Sequence, residues 1–570
     1  MRITFLGQAG LFIETRAGSI LCDPWFSPAY FGSWFPFPAN DGIDPASIGN
    51  PTYLYISHLH HDHFDPAWLS AHASKDATVL LPDYLIDDLR HELHGLGFRR
   101  FVETADGEPI ELDGGLKVMI EALTAPTDGP IGDSALLVDD GETRLLNMND
   151  SRPPDPDKLL ALGPIDLLFL QFSGAIWYPM VYEFPERAKI TLAHKKRVVQ
   201  LARAQRYIEI IDPAFVVPSA GPPCFLDDDL FEYNDLRRDP ANIFPDQEVF
   251  LDHLTQAGIG GGRLMLPGSA GELRPGSFDV THPVSDAEVR RIFDQREPYL
   301  REYQARIRPL LAAEHARWAR GGAPLPEPGA VEAATEAEAA EPAEPLDLLA
   351  ELKAWFEPLM GFGELTCSGI GAPVLLDLRG PRGLAAIPDG QSPGIVLDFV
   401  DQVVRPWDGV ETPRYIFRID RPLIEVLVRE HEVDWVNSLF LSMRFRAARK
   451  GPYNEYVYTW FKCLDLERLQ YAEGFYAEKA KSEGSFVLDG WEIQRRCPHM
   501  KADLTRFATI EEGVLTCSLH GWQYELASGR CLTSEGHEIT ARALSPEELA
   551  ALEAAAASAG AMVAAAISAD

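Results

Sequence analysis

Apolar and polar residues alternate along the first 220 residues in the manner of β-strands, with helical periods between the runs. The alternation predicts a hairpin within residues 2–23. Further strands are predicted at 53–57, 78–81, 100–103, 117–122, 134–139, 143–147, 166–171 and 215–218. Helices are predicted at 65–74 and 186–212. Strands interleaved with helices favour an α/β layered fold.

The later part of the chain changes character several times. A 3.6-residue period predicts helix over 285–318, and helices are also predicted near 346–356, 423–433 and 465–480. Pro, Ala and Glu dominate the stretch after residue 320, which cannot bury a core and is typical of a linker. We therefore predict an α/β multidomain chain divided as follows: a metal-binding catalytic domain 1–320, a linker 321–345, an α+β middle region 346–482 that could line a substrate pocket, a small all-β domain 483–545 and an Ala-rich tail 546–570.

Composition narrows the class of protein. The 570 residues are enough for two to four domains, and the net charge of −35 disfavours binding to nucleic acid or to an anionic membrane surface. The N-terminus lacks the pattern of a signal peptide, and no apolar run reaches the 18 or so residues of a membrane helix. Five of the seven Cys are scattered and odd in number, unlike a disulfide framework. We expect a cytoplasmic protein, and the sequence leaves its oligomeric state open.

Four residues near the C-terminus carry the strongest chemical signal. Cys497-Pro-His499 and Cys517-Ser-Leu-His520 are separated by 17 residues. Two thiolates and two imidazoles at this spacing are the ligand set of a Rieske [2Fe–2S] cluster, whose imidazoles raise its potential. A zinc site is the alternative for two Cys and two His. The run from Cys517 to Cys531 resembles Rieske ferredoxins and oxygenases instead, which favours the cluster.

A second motif lies far upstream, where an apolar strand runs into His58-Leu-His60-His61-Asp62-His63. This H-x-H-x-D-H loop resembles the metal-binding loop of the metallo-β-lactamase fold, an αββα sandwich. The resemblance makes His58, His60, Asp62 and His63 ligands and assigns Asp150 the place of a bridging aspartate. Imidazoles and carboxylates suit Zn²⁺ or Fe²⁺.

Two ligand positions depart from the hydrolases of that fold, which usually supply further histidines there. The corresponding segments hold Asp128 and Asp227, which become weaker candidate ligands beside the alternative of turn-capping carboxylates. Fewer histidines lower the expectation of a tight dizinc hydrolase. A few His, a carboxylate and open positions are what non-haem Fe(II) needs to bind O₂ and substrate together.

The chain as a whole resembles the CMP-N-acetylneuraminate hydroxylases, which join a Rieske domain to a metallo-β-lactamase-like domain. Shared-looking segments are Asp23-Pro-Trp25, Tyr55-Ile-Ser-His58, Asn149-Asp150-Ser-Arg-Pro, Pro218-Ser-Ala-Gly221 and Phe417-Arg-Ile-Asp-Arg421. The resemblance covers about 500 residues and is loose in the middle region. One departure is the domain order, because the Rieske domain comes first in those enzymes and last here.

The resemblance implies monooxygenation of a small polar metabolite. Electrons from NAD(P)H would pass through a reductase and a ferredoxin or cytochrome-type carrier to the cluster, and then to an iron that activates O₂. His58, His60, Asp62, His63 and Asp150 would be the catalytic metal ligands. Zinc could replace iron in the isolated protein.

Two other functions stay open at this point. A zinc or di-metal hydrolase, a lactonase or phosphodiesterase, would use a metal-bound hydroxide and keep the Rieske module as a structural or regulatory part. An O₂ or NO reductase would resemble the flavodiiron proteins with the Rieske module in place of flavin, although those have a Glu where this chain has His60.

Overall fold

The computed structural model describes residues 1–124, 132–235, 242–319, 344–383, 387–388, 390–478 and 484–550. The chain divides into two compact units, Met1–Ala477 and Glu478–Asp570. Within the described parts, no helix combines the length and the apolar character that crossing a membrane would require.

In the described residues, sixteen strands and six α-helices build the first part of the larger unit. The strands are β1 Arg2–Gly7, β2 Gly10–Thr15, β3 Gly18–Cys22, β4 Phe35–Pro36, β5 Tyr53–Tyr55, β6 Thr78–Pro82, β7 Arg100–Thr104, β8 Ile110–Glu111, β9 Lys117–Leu123, β10 Asp133–Asp139, β11 Arg144–Asn147, β12 Leu167–Gln171, β13 Phe215–Ser219, β14 Pro223–Cys224, β15 Ala270–Arg274 and β16 Ser277–Thr281. The helices are α1 Pro66–His72, α2 Asp88–Gly95, α3 Glu186–Ile211, α4 Gln247–Gln256, α5 Asp286–Asp294 and α6 Arg296–Ala319.

Two large sheets face each other in this part. The first has the order β16-β15-β1-β2-β3-β5-β6-β7 and the second β13-β12-β11-β10-β9-β8. Their facing sides share one apolar core, to which Ile3 and Leu11 contribute from the first sheet and Leu136 and Phe169 from the second. Burial of such alternating apolar side chains is the main force that holds two sheets together.

Helices cover the outer sides of both sheets. Trp68 of α1 and Leu89 of α2 pack in an apolar cluster with Leu54 of the first sheet. On the other side, Phe250 of α4 stacks at 5.0 Å on Phe172, the residue that follows β12. The arrangement is therefore an αββα sandwich, and the predicted fold class is confirmed.

The parallel strands place their C-terminal ends at common edges. In the first sheet, β3 pairs with β5 in parallel, so Cys22 and Tyr55 are neighbours. In the second sheet, β11, β12 and β13 are parallel and end at Asn147, Gln171 and Ser219. Loops that leave such edges are where layered α/β proteins carry their chemistry.

The predicted helix over 285–318 is interrupted. Residue Gln295 separates α5 from α6 and has φ −114° and ψ 42°, outside the helical region. A periodic apolar pattern continues across such a break, because each short helix keeps its own buried side.

The middle part of the larger unit is a five-stranded sheet with helices. Its elements are α7 Leu348–Phe362, α8 Glu364–Ile370, β17 Pro373–Asp377, β18 Gly394–Asp398, β19 Val403–Pro406, β20 Tyr415–Ile419, α9 Arg421–Arg429, β21 Phe445–Arg449, α10 Glu455–Lys462 and α11 Leu466–Ala477. The strand order is β19-β18-β17-β20-β21.

One hydrophobic cluster joins this middle part to the sandwich. Trp34 and Trp177 belong to it from the first part, and Phe417, Phe440 and Trp460 from the middle part. The Trp177 and Phe440 rings lie 5.5 Å apart. Residues 1–319 and 344–477 therefore bury apolar surface against each other and form one compact unit.

The smaller unit is β-rich. It contains two three-stranded sheets, ordered β22-β23-β27 and β24-β25-β26. Its elements are β22 Ser485–Leu488, β23 Trp491–Gln494, α12 Leu504–Phe507, β24 Ala508–Glu511, β25 Val514–Cys517, β26 Trp522–Glu525 and β27 Ala541–Ala543.

Candidate metal centres

The His-rich loop connects the end of β5 to the start of α1. Asp65 closes the loop by capping α1, where its carboxylate accepts a hydrogen bond from Trp68 N at 2.9 Å. The same carboxylate accepts from the backbone N–H groups of Phe26 and Ser27, on the chain that leaves β3. Asp65 therefore ties together the two segments that surround the histidines.

The loop and Asp150 form two groups of ligand atoms. His58, His60 and Asp150 make one group, and Asp62, His63 and Asp150 make the other, with the chosen atoms of each group within 4.8 Å of one another. Asp150 belongs to both. His63 Nε2 and Asp150 Oδ1 are buried and lack a hydrogen-bond partner in the described chain. Buried polar atoms without partners are costly, and a bound cation would satisfy both.

Hydrogen bonds behind the histidines orient them towards these positions. Asp23 Oδ2 lies 2.9 Å from His63 Nδ1, which leaves Nε2 directed at the Asp62 and Asp150 carboxylates at 3.7 and 3.6 Å. His58 Nδ1 is hydrogen-bonded to Ser57 Oγ at 2.8 Å, and the Asp133 carboxylate lies 3.2 Å from the same nitrogen. A carboxylate behind a histidine is the usual support of a metal ligand, because it fixes the ring and its tautomer.

Asp62 is held by two further side chains. The Tyr30 hydroxyl donates to Asp62 Oδ1 at 2.5 Å, and the Gln8 amide donates to Asp62 Oδ2 at 2.8 Å. All three residues are buried. No local sequence signal marks Gln8, Tyr30 or Asp133 as neighbours of the site, since each reaches it only through the packing of the strands. Asp23 belongs to the Asp23-Pro-Trp25 segment, which supports the family resemblance but does not by itself indicate contact with His63.

The ionisable side chains of the site shift one another's pKa values. Burial opposes the charged form of His63, but the Asp62 and Asp150 carboxylates outweigh it and raise the His63 pKa well above its usual value. Burial would raise the pKa of Asp150, yet the charge of His63 lowers it. Burial also lowers the pKa of His60, with help from the neighbouring His58 and His63. Neutral His60 keeps its lone pair for a metal.

The two weaker candidates stand apart from these groups. Asp227 Oδ2 lies 2.8 Å from Arg444 Nη2 and 2.7 Å from His315 Nε2, and it is in neither ligand group. Burial opposes its ionisation, but the hydrogen bond from His315 and the charge of Arg444 lower the Asp227 pKa. Asp128 lies outside the described residues.

The four C-terminal ligand candidates come from two loops of the smaller unit. Cys497 and His499 follow β23, and Cys517 and His520 follow from the end of β25. The imidazoles of His499 and His520 are perpendicular, with ring centroids 5.1 Å apart. Both thiols are buried. The two imidazoles therefore lie together, and the two thiols interact with each other, the pairing of ligands that a Rieske cluster requires.

Aromatic side chains support this second centre. His499 stacks on Trp522 with a centroid distance of 3.7 Å, and the Tyr524 hydroxyl lies 3.4 Å from Cys497 Sγ. Burial opposes ionisation of Cys497, but hydrogen bonds from Cys517 and Tyr524 outweigh it and lower the pKa of this thiol to about 7. A thiolate is the form that binds iron.

The αββα sandwich with its His loop has the metallo-β-lactamase fold, and the smaller unit is a Rieske [2Fe–2S] domain. Comparison with known families agrees: residues 491–542 match the Rieske [2Fe-2S] domain, and residues 348–478 match the Rv3818-like, SCP2-like domain. The chain belongs to the family of the Rieske 2Fe-2S iron-sulfur protein Rv3818 of Mycobacterium tuberculosis. The two are 50% identical over 545 residues, which is 95% of this chain and 99% of the relative.

Two more distant similarities cover smaller shares of the chain. A UPF0173 metal-dependent hydrolase of Cereibacter sphaeroides is 30% identical over 128 residues, 21% of this chain and 48% of the hydrolase. Among solved structures, CmlA, a diiron β-hydroxylase from Streptomyces venezuelae, aligns with 48% of this chain and 54% of its own, at 20% identity and a TM-score of 0.32.

Proposed function

We propose that this protein is a Rieske-dependent non-haem iron monooxygenase. A [2Fe–2S] cluster held by the smaller unit would take electrons that originate from NAD(P)H and arrive through cytoplasmic redox partners, and an iron held by the metallo-β-lactamase-fold part would use them. The substrate is a small polar metabolite, such as a sugar nucleotide or a natural-product precursor, which is hydroxylated or N-oxygenated. The observation that supports this most is the presence, in one chain, of a Rieske ligand set and of a separate His/Asp site.

The residues divide the work between the two centres. Cys497, His499, Cys517 and His520 hold the cluster; His58, His60, Asp62, His63 and Asp150 hold the iron. When bound, the cluster supplies electrons one at a time and the iron site supplies the activation of O₂.

The remaining side chains keep the iron ligands in place. Asp23 holds the proton on His63 Nδ1, so that Nε2 is available as a ligand. Tyr30 and Gln8 fix the orientation of the Asp62 carboxylate. Because these partners are buried, bulk water does not compete for their hydrogen bonds.

A metal-dependent hydrolase is the second candidate. It is favoured by the sharing of Asp150 between two ligand groups, which suits a pair of metal ions, and by the similarity of 128 residues to a metal-dependent hydrolase. In that case zinc would occupy the His/Asp site and turnover would need no electrons.

Metal analysis separates the two functions. We would purify the protein without air, count iron and zinc per chain, and record EPR spectra before and after dithionite. The oxygenase predicts a Rieske signal on reduction and about three or four irons, two of them in the cluster. About two irons plus zinc, with hydrolysis of lactones or phosphodiesters and no NADH-dependent substrate oxidation, would overturn the oxygenase.

The variant Cys497→Ala tests the role of the cluster in turnover. It removes one ligand, so the Rieske spectrum and NADH-dependent turnover with a reductase should both be lost while metal stays at His58 and His63. Cys531→Ala is the matched control, because Cys531 is also buried in this unit but is not among the four ligand candidates. Wild-type turnover by Cys497→Ala would contradict the oxygenase.

A further inference from the structure

One side of the long helix α3 is polar where it is buried. Lys196, Gln200 and Arg203 follow one another at spacings of four and three residues, so they share a face of the helix. Gln200 and Arg203 are buried and Lys196 is half-buried. A buried helix face normally carries apolar residues, so the burial of these polar and charged side chains needs a specific explanation.

A third cation meets this face from the loop that carries Asp150. Arg152 Nη2 donates to Gln171 Oε1 at 2.7 Å, and Arg203 Nη2 lies 3.5 Å from the same oxygen. Burial, followed by the charges of Arg203 and Arg152, lowers the pKa of Lys196 to about 7. Within the described ranges, neither Lys196 nor Arg152 forms an ion pair. Two guanidinium groups and a lysine that is only partly protonated near pH 7 are thus gathered in a protein whose net charge is −35.

Buried polar atoms without partners surround these cations. The unsatisfied atoms of the described chain include five in this region: Arg152 Nε, Gln171 Nε2, Ser173 Oγ, Gln200 Oε1 and Ser219 Oγ. They are neighbours: Gln171 pairs with Ser219 across the sheet, and a Cβ on Gly174 would lie 3.3 Å from Gln200 Nε2. Water could satisfy hydroxyls and amides, but it would not neutralise the charges of Lys196 and Arg152.

The cations adjoin the candidate iron site. Arg152 is two residues from Asp150, and its charge contributes to lowering the Asp150 pKa. The residue after Ser219, Ala220, donates its N–H to Gln8 O at 2.8 Å, and the Gln8 side chain donates to Asp62. A ligand held at the ends of β11–β13 would therefore lie beside the metal ligands.

We propose that Arg152, Lys196 and Arg203 bind an oxyanion of the substrate, a carboxylate or a phosphate ester. Arginine and lysine hold such groups by charge-assisted hydrogen bonds, and the unsatisfied Ser and Gln atoms supply further contacts. This deepens the proposed function by stating that the metabolite is anionic and enters with its charged end next to Asp150. As a substrate site it rests on that function, but anion binding itself can be measured without turnover.

The experiment titrates the full-length, metal-loaded protein with inorganic phosphate and, separately, with succinate, by calorimetry at constant ionic strength. We expect one of the two to bind, and its Kd to rise about tenfold or more in Lys196→Gln and in Arg152→Gln, since each removes a charge-assisted hydrogen bond. Lys195→Gln is the matched control, because it makes the same change at an exposed position of the same helix. Which anion binds tells a phosphate ester from a carboxylate.

Equal Kd values in wild type, Lys196→Gln and Lys195→Gln, or no binding of either anion to the wild type, would overturn the proposal. Lys196→Arg keeps the charge and should retain binding, which separates loss of the site from misfolding. If anions bind as expected while NADH-dependent oxidation is never found, the monooxygenase is wrong and the anion site stands. Turnover of a substrate without anion binding would overturn the anion site and leave the monooxygenase standing.

Discussion

Replacement of Asp23 by Asn tests whether the carboxylate behind His63 supports a metal ligand. Asp23 is fully buried, and its oxygens accept from Ser57 N at 2.7 Å and Ser57 Oγ at 2.7 Å as well as contacting His63 Nδ1 at 2.9 Å. Asn has the same size and keeps one carbonyl oxygen, so the hydrogen bond from Ser57 N can persist. What is lost is the negative charge facing His63.

The expected loss is 10- to 100-fold in affinity for the metal held by Asp62, His63 and Asp150. This range is typical when the carboxylate that supports a ligating histidine is removed, and it corresponds to about 1.4–2.7 kcal/mol. The amide NH₂ group of Asn can also face His63 Nδ1. This would favour the tautomer with the proton on Nε2, so the loss of metal affinity should lie nearer 100-fold than 10-fold.

The assay is competition for the metal between the protein and a chelator of known affinity, with metal counted by elemental analysis. Asp139→Asn is the control: Asp139 is also buried, ends β10 and pairs with Arg144, away from both ligand groups. The Rieske absorbance should be unchanged in both variants. An affinity in Asp23→Asn equal to that of Asp139→Asn would refute the support role of Asp23.

Three further predictions concern other parts of the chain. His58→Ala should abolish product while the Rieske EPR signal stays, and product formation by this variant would contradict the assignment of His58 as a ligand. Arg444→Met removes the buried guanidinium beside Asp227 and leaves this carboxylate only the hydrogen bond with His315. The loss should cost about 3 kcal/mol, the lower end of the range for a broken buried pair, and lower the Tm in calorimetry; an unchanged Tm would show that the pair is not stabilising. Burial and the charge of Asp106 raise the pKa of Glu121 from 4.5 to about 7. Between these two pH values Glu121 is protonated in the folded state and ionised in the unfolded state, so its contribution to the free energy of unfolding should fall as pH rises from about 4.5 to 7. Glu121→Gln should flatten this decline in a pH series of Tm values.

Local patterns predict the two centres that short segments encode. The histidine loop and the two Cys/His pairs have ligands a few residues apart, so their spacing and their resemblance to known motifs indicate them. Asp150 required the fold as well, since it comes from the second sheet. The structure brings Asp150 into both ligand groups. The spacing of residues along the sequence could not have predicted that one side chain belongs to two groups.

Contacts between distant segments were the part that sequence patterns could not give. Asp23, Tyr30 and Gln8 approach the loop only because β1–β3 pack beside β5. The position of Asp227 matched that of a ligand in related folds, but its carboxylate instead meets Arg444, which lies more than two hundred residues away in the chain. Pairings of this kind depend on the packing of the middle part against the sandwich.

The hydrophobic cluster shared by residues 1–319 and 344–477 has a consequence for limited proteolysis. Trp34 and Trp177 on one side and Phe417, Phe440 and Trp460 on the other are buried in the same cluster. A single peptide-bond cleavage between Ala319 and Glu344 would leave that cluster intact. The two fragments should then remain associated like the subunits of a heterodimer, eluting together on a sizing column and separating only in denaturant.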